Sequence, residues 1–277
     1  MRAVNGRGAI NGGHASLEPC DAAFSFPWAL SKVRWSFLSL SFVLLVHRFT
    51  AYFKPRYVSR AASTFHSRVV FSDVYTEGIT KITAADIAYA KEFDSVIKLL
   101  GVARNAVDGI EVGVYPVMLS KDHPLASVRE SFNAVFIHGD AVDDAMFYGR
   151  GAGEMPTASA VVGDVIDVAR DLMYNCTGRI SCTCYRQIPV KNFGEVQNKF
   201  FLRMQVENRP GVLARIAQVF GEHKVSIARV VQKNAHSDRA ELVIVTEKVK
   251  ERHMKDATEE LKQMESIYEI SSVIREY

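Results

Sequence analysis

Acidic residues are almost missing from the first 64 positions, where only Glu18 and Asp21 stand against Arg2, Arg7, Lys32, Arg34, Arg48, Lys54, Arg56 and Arg60. Over the whole chain the imbalance fades. A formal net charge of +3 on 277 residues is too small to indicate a nucleic-acid partner, and no basic run interleaved with aromatics occurs. Cysteine is scarce too: Cys20, Cys176, Cys182 and Cys184 do not make a secreted disulfide framework. Cys182-Thr183-Cys184 lacks the two-residue gap of a zinc knuckle and has no suitably spaced His, so no metal site is expected. Reduced thiols fit a cytoplasmic protein. The only long apolar run, Trp35 to Val46, would span roughly 18 Å as a helix against a hydrocarbon core of about 30 Å, which excludes a membrane span. It lies too far from the start for a signal peptide and does not alternate like a half-buried strand, so residues 1–64 are expected to be unfolded or poorly packed. A dinucleotide-binding unit is also lacking. Gly6-Arg7-Gly8 has no apolar strand before it and no periodic helix after it.

What is present begins with Tyr148-Gly149-Arg150-Gly151-Ala152-Gly153-Glu154-Met155-Pro156-Thr157. Glycine lets the backbone take φ > 0 and approach a ligand or another segment closely. Pro156 and Thr157 suit the opening of a helix, and Val161, Val162, Val165, Ile166, Ala169, Leu172 and Met173 recur at helical spacing, which predicts one buried face. A glycine loop feeding a helix N-terminus is a place for an anion or a cofactor edge; a tight turn packed on a core is the alternative.

From Phe65 the pattern is that of a folded α+β chain. Thr83 can cap a helix carrying Ile87 and Ala90, and Ile97 to Arg104 and Ile110 to Leu119 read as strands joined at Asp108-Gly109. Ala134 to His138 and Ala145 to Tyr148 read as two more. His123 and His138 are acid/base candidates only by residue type. Residues 174–198, with Asn175, Gly178, Pro189 and Asn192, form a linker. Beyond it Phe201 to Val206 alternates with a two-residue period. A turn at Asn208-Arg209-Pro210-Gly211 leads to the amphipathic helix of Val212, Leu213, Ile216, Val219 and Phe220. Two strands, a helix over Lys250 to Met264 and a last strand from Ile267 complete a βαββαβ order, the ferredoxin-like plan.

The glycine stretch, with His123-Pro124-Leu125-Ala126, Asn133-Ala134-Val135 and Gly139-Asp140, resembles homoserine dehydrogenase of the form that ends in a regulatory ACT domain. The resemblance runs from about Phe65 to the last residue. It implies a truncated substrate domain over 65–173, a linker over 174–198 and an ACT domain over 199–277. It also implies NAD or NADP as cofactor, with Gly153 touching the nicotinamide, and threonine as the usual effector. Copies would pair through the ACT and substrate-domain sheets. The family's acidic substrate ligands and catalytic lysine belong to a part not matched here. That lysine would fall near Arg56, within Phe53-Lys54-Pro55-Arg56-Tyr57, which does not fit the motif. Lys54 lies closest as a substitute base but nothing around it supports one, so no catalytic residue is assigned.

For the ACT turn the expected effector ligands are Asn208, Pro210, Gly211, Val212 and Leu213: free N–H groups at a helix start hold a carboxylate, and the Asn208 side chain bonds polar atoms. A turn that only caps its helix is the alternative. Three readings stay open: a homoserine dehydrogenase, inactive as this truncated chain; an ACT module that senses an amino acid or dimerises without catalysis; or a gene fragment whose first 64 residues are foreign.

Overall fold

The computed structural model describes residues 40–45, 53–176, 184–236 and 238–277. In the first part the elements are β1 (Leu40–Leu45), α1 (Phe53–Ala62), β2 (Tyr75–Thr76), α2 (Ala84–Glu92), β3 (Ser95–Ala106), β4 (Gly109–Ser120), β5 (Phe132–Gly139), β6 (Asp143–Arg150) and α3 (Glu154–Met173). The second part holds β7 (Gln197–Glu207), α4 (Val212–Glu222), β8 (Ile227–His236), β9 (Arg239–Thr246), β10 (Val249–Lys250), α5 (Glu251–Leu261) and β11 (Ile267–Glu276). One sheet runs through both parts in the order β6-β5-β1-β3-β4-β11-β7-β9-β8. The α+β class and the βαββαβ order of the second part are as the sequence indicates.

Local chemistry explains the hairpin at its centre. Ala106 pairs with Gly109 across Val107-Asp108. Gly109 has φ +143°, and a Cβ on it would lie 2.7 Å from the Pro189 carbonyl oxygen. That close approach lets the preceding linker dock on β4, with Ile110 N donating to Pro189 O and Lys191 N to Ile110 O, both at 2.9 Å. Thr83 and Asp86 form a capping box at the start of α2, the cap expected from the sequence.

Two expectations need correction. The stretch before residue 65 is not uniformly unpacked: β1 is hydrogen-bonded between β3 and β5, and α1 buries Val58, Ala61 and Ala62 against Phe65, Ile110, Val112 and Ile137. The place of Leu40–Leu45 comes from hydrogen bonding to neighbours on both sides and not from a two-residue alternation, so the strand hid from a period-two test. The helix after the glycine turn starts at Glu154 with Gly153 as its N-cap, and it buries none of its residues. Val161, Val162, Val165, Ile166, Leu172 and Met173 are between 45% and 79% exposed, so the expected buried face has no cover among the described residues.

In the second part α4 and α5 cover one face of the sheet with a core that includes Phe200, Leu202, Met204, Val206, Ile216, Phe220 and Leu261. The other face is covered as well, by α2 of the first part: Tyr89 and Ala90 pack with Met118, Phe201, Val243 and Ile274. Arg203 points to that side and is buried. Its Nε donates to Asp86 Oδ1 at 2.9 Å and its Nη1 to Glu241 Oε1 at 2.9 Å. Asp86 also accepts from Ser272 Oγ at 2.7 Å and from Thr83 N at 2.8 Å. Burial alone would push the Asp86 carboxyl up, but the hydrogen bonds from Ser272, Thr83 and Arg203 outweigh it and hold it below the ordinary aspartate value. A second buried arginine closes the same junction. Arg275 chelates Glu251 at 2.6 and 2.8 Å and reaches Glu77 of the first part at 2.6 Å, among the rings of Tyr75, Tyr115 and Phe193.

Removing one member of such a pair strands a buried charge. Arg203→Met is expected to cost about 3–5 kcal/mol of stability, read by urea unfolding; a loss under about 1 kcal/mol would show that the junction does not depend on it. Because the folded-state value of Asp86 is depressed, its contribution is complete above about pH 4 and drains as pH falls through the folded value. Asp86→Asn should therefore lose stability less steeply than the native chain between about pH 5 and pH 2; an unchanged slope would remove Asp86 from the acid response.

Candidate functional site

Two places bring the expected residues together. The first is the glycine turn between β6 and α3. Gly151 N donates to Ser131 O at 2.9 Å, and a Cβ at Gly151 would fall 1.5 Å from Asn133 Nδ2, so only glycine fits under that side chain. Phe132 stacks on Tyr148 with ring centres 4.8 Å apart and planes 2° from parallel, and the Arg150 guanidinium lies 4.9 Å over the Phe132 ring. These contacts fix the turn to β5. Gly153 itself has φ +131°, a value L-residues avoid, and its carbonyl accepts from Thr157 N at 3.1 Å. Thr157 is therefore inside the helix and not its cap.

A pyrophosphate cradle needs parallel strands joined through a glycine loop and a helix. Among the described residues the parallel pairings between named strands are β2 with β4 and β4 with β11, and β1 runs antiparallel to both its neighbours. No such cradle is built from them.

The histidine candidates are held by other work. His123 Nδ1 accepts from Leu125 N at 3.1 Å, and its ring packs against Phe136 and Tyr277, where burial pushes its pKa down. His138, exposed near the end of β5, has its Nδ1 2.7 Å from Asp144 Oδ1, and the hydrogen bond to Asp144 raises its pKa. Lys54 and Arg56 fall in the first turns of α1, and their side chains lie outside the described residues. Cys176 is exposed and Cys184 half-buried, neither in a disulfide among the described residues; Cys20 and Cys182 lie outside the described residues.

The second place is the turn between β7 and α4. Asn208, Pro210, Gly211, Val212 and Leu213 all line one cavity of about 310 Å³, with Val206, Glu207, Arg209, Gln232 and Leu242. Gly211 takes φ +92° at the helix N-cap and leaves open space where a Cβ would point. Having no side chain, it cannot cap α4; Val212 N turns back to Arg209 O at 3.3 Å, and the N–H groups of Leu213 and Ala214 keep their capacity for a carboxylate. Arg209 turns outward to Glu207 at 3.1 Å. Gln232 of β8 donates through Nε2 to Asn208 Oδ1 at 3.3 Å and shares the cavity. Local sequence gave no hint of Gln232, because its place there comes from strand order alone. A larger cavity of about 570 Å³ lies where α5 meets Tyr75, Glu77 and Phe193; Glu77, Glu251 and Arg275 on its wall are already paired with one another.

Comparison with known proteins places both turns in context. The homoserine dehydrogenase profile matches residues 57–166, and that of the ACT domain matches residues 200–266. A homoserine dehydrogenase of Corynebacterium glutamicum is 40% identical over 220 residues, covering 78% of this chain and 49% of that protein. One from Synechocystis is 39% identical over 224 residues, covering 78% and 52%. The crystal structure of a homoserine dehydrogenase from Thiobacillus denitrificans superposes with a TM-score of 0.73 at 31% identity, covering 80% of this chain and 52% of that one. The chain thus spans about half the length of the curated relatives it matches. With a glycine turn fixed by Asn133 in the first match and an open N-terminal cavity in the second, it belongs to the homoserine dehydrogenase family and carries that family's ACT domain at its C-terminal end.

Proposed function

We propose that this chain is the substrate-side and regulatory half of a homoserine dehydrogenase. The reaction is the NAD- or NADP-dependent interconversion of L-homoserine and L-aspartate 4-semialdehyde, with the chain by itself turning over negligibly. The observation that carries this reading is the match to the family over about half the relatives' length; the resemblance puts Gly153 at the nicotinamide edge. Hydride transfer needs the reacting carbons held within near-contact distance. Gly149 to Gly153 supply one wall for that geometry, and the described residues supply no grip on the pyrophosphate. The bound nucleotide would bring the hydride chemistry; this chain's part is to shape the wall opposite and to carry the regulator. The cytoplasm, where such nucleotides and reduced thiols coexist, is the compartment this reading implies.

Regulation is the function the chain can perform unaided. The cavity over Gly211 suits an amino acid: α4 N–H groups for its carboxylate, Asn208 and Gln232 for its polar side chain, Val206 and Leu242 for its carbon stem. Threonine is the effector this reading favours. Copies would pair through the outermost strands β8 and β6, whose outer edges end the sheet.

Two measurements test these statements. Purified chain with homoserine and NADP should produce NADPH no faster than the protein-free control; a robust rate would overturn the inactivity. Calorimetry with threonine should show binding, with Asn208→Ala weakening it about tenfold, the worth of one good hydrogen bond. No heat and no thermal shift with threonine would remove the sensing role.

A further inference from the structure

We propose that the cavity of about 570 Å³ beside α5 binds an aliphatic ammonium ion, a primary amine at the end of an apolar chain of about five carbons. Its wall shares no residue with the cavity over Gly211 and comes from both parts of the chain. Tyr75, Glu77 and Phe193 line it from ahead of the ACT domain, and Met254, Val273 and Arg275 from within that domain. At about 570 Å³ against about 310 Å³ it has room for a longer molecule than the other cavity.

Charge selects the sign of the occupant. An anion would be drawn to Arg275, but that guanidinium is already spent on Glu251 through Nε and Nη2 and on Glu77 through Nη1. Arg252 is held by Glu195 and Glu259 by Lys262, and the partners Glu195 and Lys262 both stand outside the cavity wall. Lys255 and Asp256, adjacent and exposed on α5, offset one another. What is left is two carboxylates on one guanidinium, one negative charge in excess. Glu77 carries the unspent part of it. Its Oε2 accepts from Arg275 at 2.6 Å and from the Tyr75 hydroxyl at 3.1 Å, while no described residue donates to its Oε1. The Glu77 side chain is 30% exposed, open to a ligand yet shielded enough for a charge-assisted hydrogen bond to count. The surroundings suit a cation with a hydrocarbon stem. Tyr75 and Phe193 stack with ring centres 3.7 Å apart, and the Arg275 guanidinium already lies 5.3 Å from each ring, so aromatic faces accept positive charge here. Phe200, Met254 and Val273 supply apolar wall for the stem. A ligand held between Glu77 and α5 bridges the ACT domain and the part before it, and binding to the folded chain alone raises its melting temperature.

The test is calorimetry and thermal unfolding of the full chain with n-pentylammonium, 1,5-diaminopentane and L-lysine, and with L-norleucine as the stem that lacks the terminal ammonium. The first three should bind and raise the melting temperature, and norleucine should bind at least about tenfold more weakly. Glu77→Gln keeps an acceptor for Arg275 and Tyr75 but removes the excess charge, so it should weaken the amines at least about tenfold. Asn208→Ala, in the other cavity, should leave their affinity unchanged. Should Glu77→Gln not fold, Asp256→Lys is read instead: the position is exposed, so folding is spared, and the added cation at the wall should weaken the amines about fivefold at low salt. Two sources share this chemistry, and Lys255→Ala separates them. It should weaken lysine, whose α-carboxylate can meet Lys255, and not the diamine, so a loss confined to lysine names a basic amino acid and equal affinities name a diamine. No binding of any amine, norleucine binding as tightly as lysine, affinity indifferent to the charge change at Glu77 or Asp256, or loss of amine binding in Asn208→Ala would each overturn the proposal.

Discussion

A guanidinium cannot shed its charge to enter a protein interior, so a buried arginine must find anions there. Arg203 and Arg275 both project from ACT strands, and both find acceptors in the preceding part of the chain: Asp86 and Thr83 for one, Glu77 and Tyr75 for the other. The ACT domain is thereby seated rather than tethered. Once α2 is drawn over the sheet by Asp86, Tyr89 completes the cover by donating to Glu241 Oε2 at 2.6 Å. Burial and that carboxylate push the Tyr89 phenol up, so it stays a donor throughout the accessible pH range. Each charge in the junction is needed by another, and a partial set would be worse than none.

The seating puts the cavity at the β7–α4 turn close to the rest of the molecule in mechanical terms. Asn208 follows directly on β7, the strand that carries Arg203, and five residues of strand cover only about 17 Å. On the outer side of the sheet, Gln232 links Asn208 to β8. A ligand that reorders the Asn208–Gly211 turn therefore acts on a strand whose midpoint is pinned to α2 through Asp86. At the far end of the domain β11 enters the first part's sheet beside β4, with Tyr277 N donating to Met118 O at 3.0 Å. The chain's last residues thus tie the ACT domain to the sheet that carries β5, β6 and the glycine turn.

Much of this was legible in the residues. The ACT turn could be read because its signal is local: glycine where φ must be positive, and a helix whose apolar spacing starts at once. The β3–β4 hairpin was equally plain from Asp108-Gly109 between two apolar runs, and the strands are longer only because their polar ends still pair. The junction was not legible. Arg203 sits in a strand that alternates as though one face were wet, since a polar residue under a partner element looks the same in sequence as one under water. The 117 positions between Asp86 and Arg203 hold no pattern that would announce their pairing. β1 was missed for the opposite reason, as Leu40–Leu45 is apolar at every position but Ser41 and gives no period to detect.

The long helix after the glycine turn shows what periodicity does and does not encode. Spacing at three and four residues says that a face is to be removed from water, and it is silent on which body removes it. In a self-sufficient domain the two questions have one answer, so an apolar stripe is read as core. Here they separate. Val161, Val165 and Leu172 satisfy every test of a buried face and stand in solvent, while the aspartates of the same helix are the better shielded. The arrangement is costly for a free-standing protein and has no use within the described residues. It makes sense as a face left for another body to cover.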